Sequence, residues 1–172
     1  MVKFTSKQKK KKHDTTRAWR MLKGGNDMTA NKKNIEKKCC FYASDFHLEM
    51  TVVPYINKKM KENKNIVIVT ENKLEDSIKI LISRMNIKNK NDILQLDWNN
   101  KDIKLIDEKQ NLVIITNGSK EFVENKNIEL EKLIGNGEIE LINCYSFDEI
   151  KDEIVEIKEA HTGVLNNLQK AY

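Results

Sequence analysis

The sequence lacks the long apolar runs that mark membrane proteins and the signal that marks secreted ones. No apolar run within its 172 residues approaches the length of a membrane span, for which about 20 residues are needed. The basic N-terminal stretch is followed by no apolar segment, so it does not match a secretory signal. We therefore expect a cytoplasmic protein.

Cysteine is scarce, and its positions argue against disulfide and zinc chemistry. The chain has three cysteines, Cys39, Cys40 and Cys144, which are too few for a disulfide framework. The adjacent pair lacks the C-x-x-C spacing of a zinc site. Free cysteine is among the most buried residue types. We expect three buried thiols, no metal site and no cofactor.

Glycine is also scarce, and its positions argue against a nucleotide-triphosphate site. The six glycines lie at positions 24, 25, 118, 135, 137 and 163, and none precedes the first predicted helix, where a phosphate-binding loop would need one. The segment NGSKE (117–121) resembles only the end of such a loop, because Glu121 replaces its hydroxyl residue. A degenerate RecA-like NTPase is therefore only a second alternative, one that loss of hydrolysis in Lys120→Ala would support.

The excess of positive charge is confined to the N-terminal segment. The net charge is +5; residues 1–27 hold nine Lys/Arg and two Asp (9 − 2 = +7), so residues 28–172 carry 5 − 7 = −2. LKGGNDM (22–28) can be encoded by codons resembling a bacterial ribosome-binding site, so we expect the natural chain to begin at Met28. We expect residues 1–35 to form a disordered basic tail, with 1–27 a leader. If the tail is translated, KQKKKK supports an alternative function in binding nucleic acid or anionic membranes.

After the tail, short apolar runs alternate with helical patterns. The predicted strands are KCCFYA (38–43), NIVIVT (65–70), DILQLDW (92–98), NLVIIT (111–116) and EIELINCY (138–145). NIVIVT is apolar throughout, which is typical of a central strand buried on both faces. Alternation of strands and helices predicts one α/β domain over residues 36–172, with three layers and a mostly parallel sheet.

Helical periodicity and capping signals predict where the helices begin and which faces they bury. For the helix at 45–60 we predict Asp45 as the N-cap, a kink at Pro54, and a buried face. Capping boxes are predicted at Asn72–Glu75 and Ser146–Glu149, the second opening a long final helix. DIKLIDE (102–108) suggests a weak helix or turn, NGS (117–119) a turn, and GNG (135–137) a helix end. The predicted buried face of the first helix is Phe46, Met50, Val53, Ile56 and Met60.

Candidate ligand-binding residues follow the predicted strands. In an open parallel sheet, ligands bind beyond the carboxyl ends of the strands. Asp45, Ser119 and Ser146, which lie there, also fit simple roles as caps or turn residues. The candidates for a small polar pocket are Tyr42, Ser44, Asp45, Thr70, Glu71, Asn117 and Tyr145.

No catalytic constellation is evident. The only candidate nucleophile pair is Cys144 with His161 or His47. Along a straight final helix, Cys144 and His161 would be roughly 24 Å apart at about 1.5 Å per residue. His47 lies off the predicted apolar face and is expected at the surface. We therefore expect a protein that is not an enzyme, with no catalytic residues.

The chain resembles the MEDS domain, a sensory domain named for methanogens, methylotrophs and a dichloromethane-responsive regulator. The likeness begins with CCFYASDFHLEM (39–50). It continues with Pro54-Tyr55-Ile56 in the same predicted helix and with the strand that ends near Glu71. INCYSFDEI (142–150) and HTGVLNN (161–167) resemble the family's last two motifs, with Thr162 where proline is usual. Cys39 or Cys40 replaces a histidine often found in the first strand.

The resemblance, which spans roughly residues 36–168, implies a degenerate RecA-like fold without a phosphate loop. It also implies a bacterial regulatory module that senses small molecules, in signal transduction or transcription regulation. His161, in the closing motif, joins the candidate ligand-binding residues on this basis. We expect a stand-alone sensory domain that acts through a signalling partner or as a homodimer.

Overall fold

The computed structural model describes residues 34–101, 111–133 and 138–165. The predictions for the N-terminal tail, for DIKLIDE and for GNG lie outside these residues. Across the described part of the chain, strands and helices alternate as the sequence predicts. Their bounds are β1 (Asn34–Tyr42), α1 (Asp45–Lys61), β2 (Asn65–Thr70), α2 (Glu75–Arg84), α3 (Lys90–Leu94), β3 (Leu112–Gly118), α4 (Lys120–Leu133), β4 (Glu138–Ser146), α5 (Ile154–Glu159) and β5 (Gly163–Val164).

The five strands form one parallel sheet in the order β2-β3-β4-β1-β5. The predicted parallel α/β fold is confirmed. NIVIVT is nevertheless an edge strand rather than a central one, while β3 and β4, buried along almost their whole length, lie inside the sheet. An apolar run of this kind cannot distinguish an edge strand covered by helices from a central one, because both are shielded on their two faces.

Side chains alternate along each strand, so the sheet has two buried faces. Cys40, Ile142 and Cys144 pack on one face with α1, α2 and α3. On the other face, Leu141 packs with α4, and Tyr145 packs with α4 and α5. These two apolar layers give the three-layer arrangement that the sequence predicts.

The predicted buried face of α1 is partly wrong. Val53 and Ile56 are buried, but Phe46 is 65% exposed and Met50 is 37% exposed. The buried face instead includes Leu48 and Val52, because α1 is apolar on most of its circumference and its packing against the sheet selects the side that is buried. The helix continues through Pro54, and the Pro54 side chain is exposed. The kink predicted at Pro54 stays a prediction.

The predicted strand at DILQLDW is wrong. Residues 90–94 form α3, and the buried Trp98 donates its indole N–H to the Ile93 carbonyl oxygen at 2.9 Å. Over so few residues, alternating apolar side chains fit a helical turn as well as a strand. Residues 92–98 therefore contribute no strand to the sheet.

The three capping predictions are also wrong. Ser44, not Asp45, caps α1, with its Oγ accepting from the His47 backbone N–H at 3.2 Å. Leu74 precedes α2 without a side-chain cap, and residues 147–153 form turns rather than a helix. The last helix is consequently reduced to α5, and the chain turns back toward the sheet at His161.

Candidate functional site

An open polar cleft lies at the carboxyl ends of the strands, where the sequence predicts a ligand site. Its volume is about 740 Å³. Four of the predicted residues line it: Tyr42, Ser44, Asp45 and Glu71. The loops after β1, β2 and β4 meet here because parallel strands end at the same edge of the sheet. The remaining lining residues are Asn72, Lys73, Ser146 and Glu149.

Glu71 is held in place by the loop that follows β3. Its Oε2 accepts a hydrogen bond from the Ser119 backbone N–H at 2.8 Å. Hydrogen bonds from the backbone and side chain of Ser119, with a smaller contribution from the charge of Lys101, lower the pKa of Glu71. Glu71 is therefore an ionised, oriented acceptor at the rim of the cleft.

The close approach of Glu71 to the sheet depends on Gly118. A Cβ at that position would lie 2.7 Å from a ring carbon of Phe122 and 2.8 Å from both Cβ and Oε2 of Glu71. Side chains do not tolerate such distances without displacement of a neighbour. The absence of a side chain at Gly118 thus lets Glu71 reach the Ser119 amide.

Thr70 and Asn117 lie beneath the cleft rather than in it. Both are almost completely buried. The Asn117 side-chain amide donates to the Thr70 hydroxyl oxygen at 3.3 Å, and the same oxygen accepts from the Asn72 backbone N–H at 3.1 Å. These two predicted residues therefore support the loop that carries Glu71, Asn72 and Lys73.

Tyr145 and His161 belong to a second cleft, on the face of the sheet covered by α4 and α5. This cleft has a volume of about 210 Å³. The two rings meet edge to face, with 6.2 Å between their centroids. The structure thus divides the predicted site residues between two clefts and a buried layer. The charged side chains around the second cleft are Lys37, Lys120, Glu124, Glu153 and Glu156.

A buried hydrogen-bond chain connects the sheet to the second cleft. Thr116 Oγ1 donates to Asn143 Oδ1 at 2.7 Å, and Asn143 Nδ2 lies 2.9 Å from His161 Nε2. His161 Nδ1 lies 2.6 Å from the Ile157 carbonyl oxygen. Because a carbonyl only accepts, Nδ1 carries the proton and Nε2 accepts from Asn143.

The charge state of His161 agrees with that tautomer. Burial lowers its pKa, and the nearby Lys37 lowers it further, although the bond to the Ile157 carbonyl raises it. His161 is therefore neutral at pH 7. The predicted separation of Cys144 and His161, about 24 Å along one straight helix, is wrong. The turns after β4 bring His161 back to Asn143, and Asn143 is the residue before Cys144 in the chain.

The thiols are poorly suited to nucleophilic chemistry. All three cysteines are free and fully buried, as the sequence predicts. Burial raises the pKa of Cys39 to about 11. The neighbouring Cys40 and burial raise the pKa of Cys144 well above its ordinary value. Cys144 also packs with α1 to α3, on the opposite face of the sheet from His161.

Lys120 and the acidic groups beside it at the second cleft form ion pairs. Lys120, the lysine of NGSKE, pairs with Glu153 and lies 3.6 Å from Glu124. The His47 ring accepts a hydrogen bond from the Ala43 backbone N–H at 3.2 Å.

No group of three His, Cys, Asp or Glu that could hold a metal occurs within residues 34–101, 111–133 and 138–165. In those same ranges, none of the helices has the length and apolar character to cross a membrane.

Sequence reasoning missed two buried carboxyl groups. Glu49 lies within the buried face of α1, and Glu140 lies within β4. A signal existed in both places, since each glutamate interrupts a stretch whose neighbours are apolar. The sequence alone does not show which partner, if any, each carboxyl group meets.

Comparison of the chain with protein-family models, with curated proteins and with solved structures finds no match. The resemblance to MEDS domains therefore stays a prediction.

Proposed function

We propose that this chain is a non-catalytic regulatory domain that binds a small molecule in the cleft at the carboxyl ends of its strands. The observation that carries the proposal is the cleft itself, where Tyr42, Ser44, Asp45 and Glu71 converge from two separate loops. It lies at the position where open parallel sheets bind their ligands. The resemblance to MEDS domains favours the same sensory role.

The charges of the cleft favour a cationic or hydroxyl-rich ligand. Asp45, Glu71 and Glu149 contribute three carboxyl groups, against the single ammonium group of Lys73. Ser44 and Ser146 add hydroxyl groups that both donate and accept hydrogen bonds. An anionic ligand would meet net repulsion here, whereas an amine or a polyol would find several acceptors.

Several observations favour binding without catalysis. The buried thiols with raised pKa values are poor nucleophiles. The connection between β1 and α1 is Ala43-Ser44, which offers no glycine loop for phosphates. Lys120 is paired with Glu153 rather than directed into the cleft. These features support a binding module over a degenerate NTPase.

Thermal unfolding in the presence of a ligand panel tests the proposal. The panel contains small amines, polyols and phosphorylated compounds, because a ligand that binds the native state raises Tm. We expect an amine or polyol to raise Tm, and Glu71→Gln to weaken the response at least tenfold in ligand concentration. Glu71→Gln keeps an oxygen for the Ser119 amide but removes the charge.

The matched control is Glu159→Gln, which removes an exposed carboxyl group at the end of α5, outside the cleft. This variant should respond as the wild type does. If no amine or polyol raises Tm, or if Glu71→Gln responds as strongly as Glu159→Gln, the cleft is not the ligand site.

A second candidate function rests on the sequence of the tail. KQKKKK, which lies outside the described residues, would bind nucleic acid or an anionic membrane by charge. The remainder of the chain, residues 28–172, carries a net charge of −2. We therefore assign binding of this kind to the tail.

A further inference from the structure

Two cysteines lie directly opposite each other on neighbouring strands. Cys40 of β1 and Cys144 of β4 are partners in the parallel register. Both side chains pack on the face of the sheet that α1, α2 and α3 cover, and both thiols are free and fully buried. Cys39 packs on the opposite face, where its thiol donates to the Gly163 carbonyl oxygen at 3.6 Å. The sheet therefore builds a pair of thiols from residues that are far apart in the chain.

The spacing of the strands determines what can join the two sulfur atoms. Register partners on neighbouring strands lie about 4.7–4.9 Å apart, and their side chains leave the sheet side by side. A disulfide needs Cβ atoms about 3.5–4.5 Å apart, so a direct bond between Cys40 and Cys144 would require the strands to approach each other. Two metal–sulfur bonds of about 2.3 Å, the length found for zinc, span about 4.6 Å in a straight line. A single metal ion between the sulfurs therefore matches the strand spacing.

The number of available ligands restricts the kind of metal. Thiolates prefer soft cations, but zinc takes four ligands in a tetrahedral arrangement in structural sites. Within the part of the chain that the structure describes, no third His, Cys, Asp or Glu joins the pair to form a larger metal-binding group. A soft cation that coordinates two ligands in a line, such as the mercuric ion, needs only the two sulfurs.

The apolar surroundings of the pair favour a complex without net charge, because a buried charge is costly. A divalent cation bound to two thiolates is neutral. The neighbouring Cys40 thiol, burial and Cys39 all raise the pKa of Cys144, so a thiolate without a cation is disfavoured here. A bound cation reverses that preference, because a coordinating thiol is deprotonated by the metal.

The acidic cleft lies next to the pair and offers a path for a cation. Tyr42 and Ser146 line the cleft, and they follow Cys40 and Cys144 by two residues on the same two strands. Residues two apart share a face of the sheet and lie about 6.6 Å from each other along the strand. The three carboxyl groups of the cleft raise the local concentration of cations at this edge.

We propose that Cys40 and Cys144 bind a soft divalent cation that coordinates two ligands in a line, a class that the mercuric ion represents. Binding forms two metal–sulfur bonds and breaks two S–H bonds, so two protons leave and no electrons are transferred. The site does not rest on the proposed function, because its ligands are the two sulfurs and none of the carboxyl groups that would hold an amine or a polyol.

Titration of the full, reduced chain with mercuric chloride tests this proposal, with glutathione as a competing monothiol. We expect native mass spectrometry to show one mercury for each chain, two protons fewer, and no attached glutathione, because both ligands come from the protein. Far-UV circular dichroism should stay unchanged, since the pair exists in the native sheet. Zinc at the same concentration should not be retained, because the pair supplies too few ligands.

Variants identify the ligands. A pair of linked ligands holds an ion about 10²–10⁴-fold more tightly than one of them does. Cys40→Ser and Cys144→Ser should therefore lose mercury at a glutathione concentration lower by about that factor, whereas Cys39→Ser, the matched control on the opposite face, should retain mercury as the wild type does. Cys40→Ala and Cys144→Ala replace a serine variant that fails to fold.

Four results would overturn the proposal. One is equal retention of mercury in the wild type and in the Cys40 and Cys144 variants. Another is an equal loss in Cys39→Ser, which would place the ion on the adjacent residues Cys39 and Cys40. A third is binding that begins only when circular dichroism shows unfolding.

The fourth result is a disulfide between Cys40 and Cys144 that oxidised glutathione forms in the native chain, seen as the loss of two hydrogens from the intact mass. Such a bond would show that the sulfurs are closer than a bridging ion requires. None of these results affects the test of the cleft, which uses amines and polyols with Glu71→Gln.

Discussion

Glu140 is the most strongly stabilised carboxylate among the described residues. It lies between the sheet and α1, where its two oxygens bond Lys38 at 2.5 Å and Lys59 at 2.7 Å. Burial by itself would raise the pKa of Glu140, but the two ammonium groups outweigh that effect and hold it at about 2. This glutamate within a strand is therefore an ionised structural anchor for α1.

We expect Glu140→Gln to lower the free energy of unfolding by about 2–4 kcal/mol at pH 7. The change removes the buried anion that Lys38 and Lys59 share, and leaves them only the more exposed Glu36 at 3.1 Å and Glu62 at 3.2 Å. Urea denaturation measures the loss. The matched control is Glu138→Gln, on the same strand, whose exposed carboxyl group lies 3.5 Å from Lys64. It should cost less than about 1 kcal/mol. Equal losses in the two variants would contradict the role assigned to Glu140.

The same carboxylate predicts a pH dependence. The folded pKa of Glu140, about 2, lies below its ordinary value of 4.5, so the native state binds fewer protons than the unfolded state between these values. The stability that Glu140 contributes is complete above pH 4.5 and is lost as the pH falls through about 2. We expect the difference between wild type and Glu140→Gln to shrink over that window. A difference independent of pH would contradict the prediction.

The cap of α1 offers a second test at the residue scale. Ser44 Oγ accepts from the His47 backbone N–H, whereas Asp45 is the first helical residue. Replacing a serine cap with alanine costs about 1 kcal/mol. We therefore expect Ser44→Ala to destabilise the domain by this amount and Asp45→Asn by about 0.3–0.5 kcal/mol, through the helix dipole alone. Urea denaturation measures both, and a larger loss in Asp45→Asn would support the original prediction of an Asp45 cap.

At the scale of elements, four of the five strands were predicted, whereas β5 was not and DILQLDW was wrongly assigned as a strand. β1, β2, β3 and β4 arise from apolar runs whose type the sequence makes plain. Helix boundaries depend on which of several polar residues reaches an orphan N–H group, and the chain offers candidates on both sides of each boundary. The Ser146–Glu149 pair has the spacing of a helix cap, but no helix begins there. Turns follow β4 instead, and Ile150 is buried within them.

The junction between β3 and α4 can be tested with two glycines. Gly118→Ala introduces a Cβ 2.7 Å from Phe122 and 2.8 Å from Glu71, so we expect a loss of about 1–3 kcal/mol from overpacking. Gly163→Ala is the control, because its nearest neighbour, Lys38 Cγ, would lie at an ordinary 3.8 Å. Thermal unfolding should show a lowered Tm for the first variant only. A normal Tm in Gly118→Ala would mean that Glu71 moves freely.

At the scale of the whole molecule, charge separates the two candidate functions. The proposed cleft is acidic, and residues 28–172 carry a net charge of −2 against +7 for residues 1–27. If the tail binds nucleic acid, changing its four consecutive lysines at 9–12 to glutamine should abolish DNA binding and its salt dependence. Fluorescence anisotropy at several salt concentrations measures this. Binding that survives the change would place the contact elsewhere.

The residues of the candidate site were only partly predictable, because some of them are brought together by the packing of the whole molecule. Tyr42, Ser44, Asp45 and Glu71 could be predicted because all parallel strands end at one edge. The burial of Glu49 could not, because it depends on how α1 packs against the sheet. His161 was expected far from β4 because a long helix was assumed to separate them.

By itself, the sequence determined the class of the fold and the edge at which the first candidate cleft forms. Both follow from local information, since apolar runs specify strands, periodic runs specify helices, and their alternation specifies a parallel sheet. The tertiary structure decided that β2 is an edge strand, which side of α1 is buried, and that His161 bonds Asn143. It also buried Glu49 and Asn117, which lie far apart in the chain. These outcomes depend on contacts between residues distant in the chain, and such contacts are selected by the packing of the complete layers.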